Sequence, residues 1–436
     1  MNPELILHIG LSKTGSSSIQ RVLATQREAM AAQGVLYPRS PGHANHALLP
    51  ASLVSNLNML RHFHHGTWEG LEPAVRLARF RSEFAAEMAA IPATAKRLVI
   101  SAEQCGGLLR DADGVRRLRD TLTPHVGGVK VVVYLRRQDQ HATSAYSQLL
   151  RGGLLRPPGL PRGGPDALPE YDYTALLDRW AGVFGEAAMV PRVFERGSLL
   201  NGDVVDDFLA VCGLELDVPA DDQHRQSNQS IDLAGQGMML AMGAHLAKLA
   251  PAAKSVDGPL WRRFGQAVTD TMPGRGWRPS RTEAAAFMAP FAATNEATRR
   301  RWFPDRASLF PDSMAEWPEV AAQPDPGSLL EASCRLLANE LRASQVREAQ
   351  AALGAARLNQ RLGDTVAVRA NLVRAVRAEP DYLPARLRIG EFLLAEGDAK
   401  HAQEHLEAAQ RLAPEDEGVV RLARRLKRAR EGAKAA

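Results

Sequence analysis

The sequence has few cysteines, the residues that form the disulfides of secreted domains and that often bind zinc. Its 436 residues include only three cysteines, Cys105, Cys212 and Cys334, and no two of them form a CxxC pair. This pattern disfavours both a disulfide framework and a cysteine zinc site. It is typical of a protein from a reducing compartment.

Long hydrophobic runs are also missing. The longest stretch without Lys, Arg, Asp or Glu, residues 40–60, contains two prolines and three asparagines, which disfavours a membrane span. The N-terminus, MNPELILHIG, has no basic segment before its short apolar run, so it predicts a buried strand and not a signal peptide. We therefore expect a cytoplasmic protein without a membrane span.

An excess of charge of one sign is confined to the C-terminal end. The net charge is +5, but residues 419–436 alone carry seven Lys and Arg against one acid. The rest of the chain is close to neutral, which disfavours a nucleic-acid partner. We interpret the basic tail as a solvated helix end, and a weak contact with anionic polymer or lipid is the alternative.

The first three hundred residues alternate apolar runs with helical patterns. Strands are predicted at Leu5–Gly10, Arg97–Ser101, Lys130–Leu135 and Met189–Phe194. Helices are predicted at Ser17–Gln33, Glu72–Ala90, Gln138–Leu150, Tyr173–Phe184 and Asp203–Cys212. Apolar strands without polar alternation are typical of sheets covered on both faces, so the pattern predicts a parallel α/β domain over residues 1–315.

A proline-rich linker is predicted at residues 316–330, and the composition changes after it. Gly363-Asp364 recurs as Gly397-Asp398, and Pro380 recurs as Pro414, each 34 residues later. This period resembles the tetratricopeptide repeat, so we expect an all-α repeat domain at residues 331–436; a generic helical hairpin is the alternative. Because two units are marginal alone, we expect a protein partner, self-association or contact with the first domain.

The most informative segment is HIGLSKTGSSSIQ, residues 8–20, in which a strand, a short glycine-containing loop and a serine-rich helix start follow one another. Unpaired N–H groups at a helix start, together with the helix dipole, form an anion site. Lys13 adds a full positive charge.

The loop departs from that of nucleotide kinases. Gly10 and Gly15 have the GxxxxG spacing, but Ser16 stands where such an enzyme needs lysine. The strand Lys130–Leu135 ends in Arg136-Arg137 and not in an aspartate that holds Mg²⁺. The pattern indicates anion binding by cationic side chains without a metal.

Two segments together resemble the sulfotransferases that use 3′-phosphoadenosine 5′-phosphosulfate (PAPS). HIGLSKTGSSSIQ is similar to their 5′-phosphosulfate loop, and VVVYLRRQDQHATSAYSQ is similar to their 3′-phosphate motif. Further segments extend the resemblance over roughly residues 3 to 312, namely Tyr171–Gly185, Arg192–Leu214, Arg225–Asp232 and Asn295–Phe310.

The resemblance implies a fold like that of P-loop kinases and transfer of a sulfuryl group from PAPS to an acceptor hydroxyl. Lys13 would neutralise charge on the bridging oxygen, within a donor-binding loop that also comprises Thr14, Gly15, Ser16 and Ser17. Arg136, assisted by Ser144, would bind the 3′-phosphate, with Arg137 as the alternative. The acceptor would be a carbohydrate or glycolipid hydroxyl, with other alcohols, lipids or a peptide side chain as the alternatives.

An acceptor hydroxyl also needs a general base. Glu103 ranks first because it follows the strand Arg97–Ser101 at an edge where open α/β sheets place ligands. His43 and His46 rank second, and the cluster of His62, His64 and His65 ranks third.

Ser230 has two interpretations, as the cap of a following helix or, together with Asn228, as a neighbour of the nucleotide. Two other functions remain open for the whole chain. One is a P-loop nucleotide kinase that requires Mg²⁺ and ATP, and the other is a scaffold that binds an anion without chemistry.

Overall fold

The computed structural model describes residues 2–61, 71–216, 218, 230–249 and 259–435. The chain forms two compact units, Met1–Pro326 and Gly327–Ala436. Among the described helices, none combines the length and the apolar character that crossing a membrane requires.

The first unit is built on one parallel sheet of five strands, in the order β2-β3-β1-β4-β5. The strands are β1 (Glu4–His8), β2 (Val35–Leu36), β3 (Arg97–Ser101), β4 (Gly128–Leu135) and β5 (Met189–Val193). In the central register, Leu5 pairs with Leu98 of β3 and with Val129 of β4. The predicted parallel α/β sheet is thus confirmed, with β2 as an edge strand that the sequence did not predict.

Thirteen α-helices are described before the second unit. They are α1 (Ser16–Thr25), α2 (Arg27–Ala32), α3 (Leu48–Ala51), α4 (Pro73–Ala89), α5 (Gln104–Leu108), α6 (Ala112–Leu122), α7 (Gln138–Arg151), α8 (Tyr173–Phe184), α9 (Val204–Cys212), α10 (Leu233–Leu249), α11 (Pro259–Thr271), α12 (Arg281–Met288) and α13 (Ala292–Trp302). Short 3₁₀ segments of three to five residues lie at Leu57–Arg61, Thr123–His125, Pro169–Tyr171, Glu186–Ala188, Arg196–Ser198, Leu200–Gly202 and Ala289–Phe291.

Apolar residues cover both faces of the sheet. Leu5 and Leu7 of β1 lie in one buried cluster with residues of α4, α6 and α8, whereas Ile6 lies in a second cluster with α1 and α9. Successive strand residues point to opposite faces, so one apolar run serves both clusters.

The predicted helix Ser17–Gln33 is two helices. Gln26 leaves the helical conformation at φ −92° and ψ 15°, and α2 begins at Arg27. The buried Arg27 side chain donates from Nε to the carbonyl of Tyr37 at 2.7 Å, which ties α2 to the segment after β2. The helical pattern of the sequence is local, so it could not predict this contact with a segment ten residues away.

The predicted linker, residues 316–330, has a different structure at both of its ends. Trp317 is buried and donates from its indole N–H to Asp139 Oδ2 at 2.7 Å, so the start of this segment packs within the first unit. At the other end, Pro326 already begins a helix of 37 residues. Proline is tolerated in the first helical turn, where its missing N–H costs nothing.

The second unit consists of helices with their own buried cluster. The helices are α14 (Pro326–Leu362), α15 (Thr365–Ala378), α16 (Leu383–Ala395), α17 (Ala399–Leu412) and α18 (Glu417–Ala435). The cluster takes residues from all five helices, including Leu353, Leu372, Ile389, Leu406 and Leu422.

The 34-residue recurrence corresponds to a recurring turn. Gly363 and Gly397 both have positive φ, at 78° and 83°. The next residues, Asp364 and Asp398, both cap the following helix by accepting a backbone N–H three residues on. The helical region is therefore confirmed, while its assignment to tetratricopeptide repeats stays a prediction.

Candidate functional site

The loop between β1 and α1 lies at the carboxyl edge of the sheet. The chain leaves β1 toward β2 on one side and leaves the neighbouring strand β4 toward β5 on the other. Open α/β sheets bind ligands in the crevice where the chain direction reverses in this way. The crevice here is flanked by the β1–α1 loop and by Arg136 at the end of β4.

Three positive φ angles bend this loop. They belong to Gly10 at 50°, Lys13 at 64° and Gly15 at 79°. A Cβ on Gly15 would lie 2.5 Å from Val204 Cγ1 of α9, so only glycine fits there. Within the part of the chain that the structure describes, no hydrogen bond takes the backbone N–H groups of residues 13–17. Successive free N–H groups in a bent loop at a helix start form an anion-binding nest.

The hydroxyls of Thr14 and Ser16 have a different position from the one predicted. Both side chains are buried and donate to the carbonyl of Leu11, at 2.7 Å and 3.1 Å. A buried carbonyl requires a donor, and these hydroxyls supply it by closing the loop on itself. Ser17 is half-buried in the first turn of α1. Among the described residues, this leaves the backbone N–H groups and the Lys13 ammonium of the loop as donors without a hydrogen-bond acceptor.

The charges of Lys13 and Glu103 influence each other's pKa in this site. Burial lowers the pKa of the half-buried Lys13 ammonium, Arg151 and Arg136 lower it further, and Glu103 opposes them. Burial raises the pKa of Glu103, and Lys13 opposes that shift. The backbone of Glu103 is in close contact with the loop, because a Cβ on Gly10 would lie 2.8 Å from its Cα.

Arg136 connects the end of β4 with the loop. Its Nη1 donates to the carbonyl of Lys13 at 2.6 Å, and its guanidinium lies 5.4 Å from the ring centroid of Phe194. Its Nε is buried and has no hydrogen-bond partner among the described residues. A buried guanidinium N–H without a partner is costly, and an anion oxygen would supply the missing acceptor.

The side chain of Arg137, the alternative to Arg136, forms its hydrogen bonds with residues outside the loop. Its buried side chain forms two hydrogen bonds with Asp139, both at 2.8 Å, and is paired with Glu316. It also donates to the carbonyl of Ser313 at 3.0 Å. Arg137 therefore ties α7 to residues 313–316, and Arg136 alone of the two contacts the loop.

A cavity of about 500 Å³ begins beside Arg136. Ser144 and Thr143 of α7 line it together with Arg136, and Arg275 and Trp277 line it from the segment after α11. The predicted pair of Arg136 and Ser144 is thus on the wall of one cavity. Its wall combines hydroxyl and guanidinium donors with an aromatic ring.

Ser230 lines the same cavity and does not cap a helix. Its hydroxyl lies 2.9 Å from Ser147 Oγ, whereas Asp232 accepts the N–H of Gly235 at 2.7 Å just before α10 begins. The capping interpretation was wrong because Asp232, two residues later, accepts the N–H at the helix start and the Ser230 hydroxyl is engaged with Ser147. Asn228 lies outside the described residues.

Of the candidate histidine bases, His46 has both ring nitrogens engaged in hydrogen bonds. His46 is fully buried, its Nδ1 accepts the N–H of Ser101 at 3.2 Å, and its Nε2 donates to the carbonyl of Pro38 at 3.0 Å. Both ring nitrogens are thus engaged with backbone, so His46 holds its segment against β3 instead of serving as a base. His43 is exposed, and its carbonyl accepts from Arg27. His62, His64 and His65 lie outside the described residues.

Sequence reasoning did not single out His141 and Ser12. His141 Nε2 lies 2.9 Å from Ser12 Oγ, and its Nδ1 is buried without a partner in the described part of the chain. Burial, followed by the charges of Arg136 and Lys13, lowers the pKa of His141 to about 3, so the ring stays neutral near neutral pH. Only the packing of α7 against the loop brings these residues together, and no local pattern indicates it.

Among the described residues, no group of three or more His, Cys, Asp or Glu side chains is arranged to hold a metal ion.

No family model matches the chain. An uncharacterized protein of Archaeoglobus fulgidus is 31% identical over 87 residues, which are 20% of this chain and 23% of that protein. The chain thus matches less than a quarter of this relative's length, and the match does not show a family.

Among solved structures, the chain is similar to the crystal structure of a sulfotransferase from Alicyclobacillus acidocaldarius. The two are 18% identical, the alignment covers 60% of this chain and 100% of that chain, and the TM-score is 0.30. Similarity at this level carries no argument about activity.

Proposed function

We propose that this protein is a sulfotransferase that moves a sulfuryl group from PAPS to an acceptor hydroxyl. The observation that carries the proposal is the contact of Arg136 with the Lys13 carbonyl, at 2.6 Å. It joins the two segments whose sequences resemble the 5′-phosphosulfate loop and the 3′-phosphate motif of this family. A donor with phosphates at both ends of a ribose needs two such anion sites side by side.

The free donors of the site match the charges of this substrate. The N–H groups of residues 13–17 would hold the 5′-phosphate, and Lys13 would lie at the bridging oxygen. Arg136 would give its unpaired Nε to the 3′-phosphate, with the Ser144 hydroxyl as a further donor on the cavity wall. The bound anion would thereby satisfy a buried N–H that has no partner among the described residues.

The proposed reaction needs one proton acceptor and one stabilised leaving group. The acceptor oxygen forms a bond to sulfur as the bond between sulfur and the bridging oxygen breaks, and adenosine 3′,5′-bisphosphate leaves. Glu103 takes the proton of the acceptor hydroxyl, since its raised pKa makes it a stronger base than an exposed glutamate. Lys13 compensates the charge that grows on the departing phosphate oxygen.

The acceptor that we propose is a carbohydrate or glycolipid hydroxyl. It rests on the resemblance to bacterial members of the family. A panel of sugars, glycolipids, simple alcohols and peptides, each incubated with ³⁵S-labelled PAPS, tests this part of the proposal separately from donor binding.

Calorimetric titration of the purified chain tests donor binding. We expect adenosine 3′,5′-bisphosphate to bind without Mg²⁺ and to bind more tightly than ATP with Mg²⁺. Arg136→Ala should weaken binding by about 10- to 100-fold, the worth of one charge-assisted contact. The exposed Arg110→Ala is the matched control and should change nothing.

Two results would favour a function other than sulfuryl transfer. Tighter, Mg²⁺-dependent binding of ATP would favour a nucleotide kinase. Tight binding of the bisphosphate with no turnover of PAPS on any acceptor class would favour an anion-binding scaffold.

A further inference from the structure

The long first helix of the second unit, α14, has an exposed face with five leucines that no other described helix of this unit covers. Its leucines on this face are between 58% and 72% exposed, namely Leu330, Leu337, Leu341, Leu358 and Leu362. They lie in two groups on one side of the helix, Leu330 to Leu341 and Leu358 to Leu362, and apolar side chains exposed in this way mark an interaction surface. The helix packs on the rest of its unit through a different face, which carries Ala349, Ala352, Leu353 and Ala356.

The exposed face follows a heptad repeat along almost the entire helix. Steps of four and three residues alternate without a break over ten positions, which we call the α14 seam: Leu330, Cys334, Leu337, Leu341, Ser344, Glu348, Ala351, Ala355, Leu358 and Leu362. These are the a and d positions of a coiled coil, in which two helices interlock their side chains. All ten residues are exposed or half-buried.

We infer that the α14 seam binds the seam of a second copy of this chain, with the two helices antiparallel. In that direction every layer pairs an a position with a d position, and the layers on either side of the central pair match leucine with alanine. Leu337 faces Ala355 of the second copy, and Leu341 faces Ala351 of the second copy. Alternation of large and small side chains across a seam is what close packing requires.

Charge selects the antiparallel direction. In a parallel pair, Glu348 would face Glu348 of the second copy across one layer, with like charges in contact. In the antiparallel pair, Glu348 faces Ser344 of the second copy at the centre of the seam. Glu348 also has a cation at its side, Arg374 Nη2 at 3.1 Å.

Light scattering coupled to size-exclusion chromatography tests the association in the full chain. We expect a dimer at micromolar concentration. Leu341→Glu should raise the dimer dissociation constant by about 100-fold, the effect of disrupting a central interface anchor. The control Val366→Glu changes an apolar side chain that is 80% exposed on α15 and should leave the dimer intact. Helical circular dichroism verifies that both variants fold.

Cysteine cross-linking tests the direction. Cys334 is exposed, whereas Cys105 and Cys212 are buried, so a short bismaleimide reacts at Cys334. The antiparallel seam places Cys334 opposite Leu358 of the second copy, and about 36 Å from Cys334 of the second copy. Leu358→Cys should therefore cross-link into dimers, whereas the unmodified chain and the control Gln360→Cys should not.

A monomeric chain at all accessible concentrations would overturn the inference, as would a dimer that Leu341→Glu leaves unchanged. Efficient Cys334–Cys334 cross-linking in the unmodified chain would overturn the antiparallel arrangement.

Discussion

Lys13 combines a charge with a strained backbone. It is a non-glycine residue at φ 64°, in the left-handed region, at the tip of the β1–α1 loop. Strain of this kind costs about 1–2 kcal/mol and persists where the surroundings impose it. The same residue carries the ammonium group that the proposed chemistry needs.

Two substitutions separate the charge from the strain. Lys13→Ala and Lys13→Gly should both reduce sulfuryl transfer by at least about 100-fold, since both remove the cation from the leaving oxygen. Lys13→Gly should be more stable than Lys13→Ala by about 1 kcal/mol, because glycine adopts positive φ freely. Transfer assays and chemical denaturation measure the two effects. Lys130→Ala, at an exposed ion pair with Glu4, is the control and should keep full activity.

Full activity in either Lys13 variant would exclude the proposed role of this residue.

The pKa shifts of Glu103 and Lys13 predict that the rate of sulfuryl transfer has a bell-shaped dependence on pH. Because burial raises the pKa of Glu103, the carboxylate is protonated at a higher pH than an ordinary glutamate, and transfer should fall as the pH drops through that value. Because burial lowers the pKa of Lys13, the ammonium is lost at a lower pH than in an ordinary lysine, and transfer should fall again on the alkaline side. The pH profile of kcat/KM measures both limbs.

Glu103→Gln should remove the acidic limb and lower the rate by about 10²- to 10⁴-fold. The folded carboxyl holds its proton more tightly than the unfolded one, so the stability of the natural chain relative to this variant should rise as the pH falls. Denaturation at acid and at neutral pH measures that difference. An acidic limb that persists in Glu103→Gln would assign it to another group.

At the scale of elements, the β1–α1 loop depends on the packing of α1 against α9. Gly15 precedes the first residue of α1, and Val204 begins α9. Since a Cβ on Gly15 would lie 2.5 Å from Val204 Cγ1, the glycine sets how closely the two helices approach.

Gly15→Ala should therefore destabilise the first unit by about 2–4 kcal/mol, from the positive φ of 79° and from overpacking. The second substitution Val204→Ala should restore the stability that Gly15→Ala loses through overpacking. It should not restore the stability lost through the positive φ of residue 15. The control Gly107→Ala has open space around its Cβ and should be neutral or slightly stabilising. Equal melting curves for Gly15→Ala and the control would contradict this account of the loop.

At the scale of the whole molecule, the chain divides into two units with separate cores. The clusters on the two faces of the sheet take residues only from the first unit, and the helical cluster takes residues only from the second. A unit with its own buried core is expected to fold alone.

A chain that ends at Asp325, before α14 begins, should keep its cooperative unfolding and its binding of adenosine 3′,5′-bisphosphate. Calorimetry on this truncated chain measures both, and a fragment of residues 326–436 should show helical circular dichroism. Loss of nucleotide binding on truncation would show that the second unit contributes to the site.

Much of the first unit could be predicted from local sequence. β1, β3, β4 and β5 are short apolar runs bounded by polar or glycine residues, and such runs specify buried strands with little help from distant residues. β2, with only two residues, gives no such signal because pairing with β3 alone defines it. The position of the loop between β1 and α1 likewise followed from the order of an apolar run, glycines and serines.

The sequence by itself determined the parallel sheet, the position of the β1–α1 loop and the recurring turns at Gly363 and Gly397, because hydrophobic periodicity and glycine placement are local properties. Only the tertiary structure decided which of two adjacent arginines reaches the loop, since Arg137 is taken by Glu316, which lies 179 residues away along the chain. It also decided that Thr14 and Ser16 close the loop and that His46 is engaged on both ring nitrogens. Each of these outcomes depends on hydrogen-bond partners that folding brings together, and no spacing along the chain encodes them.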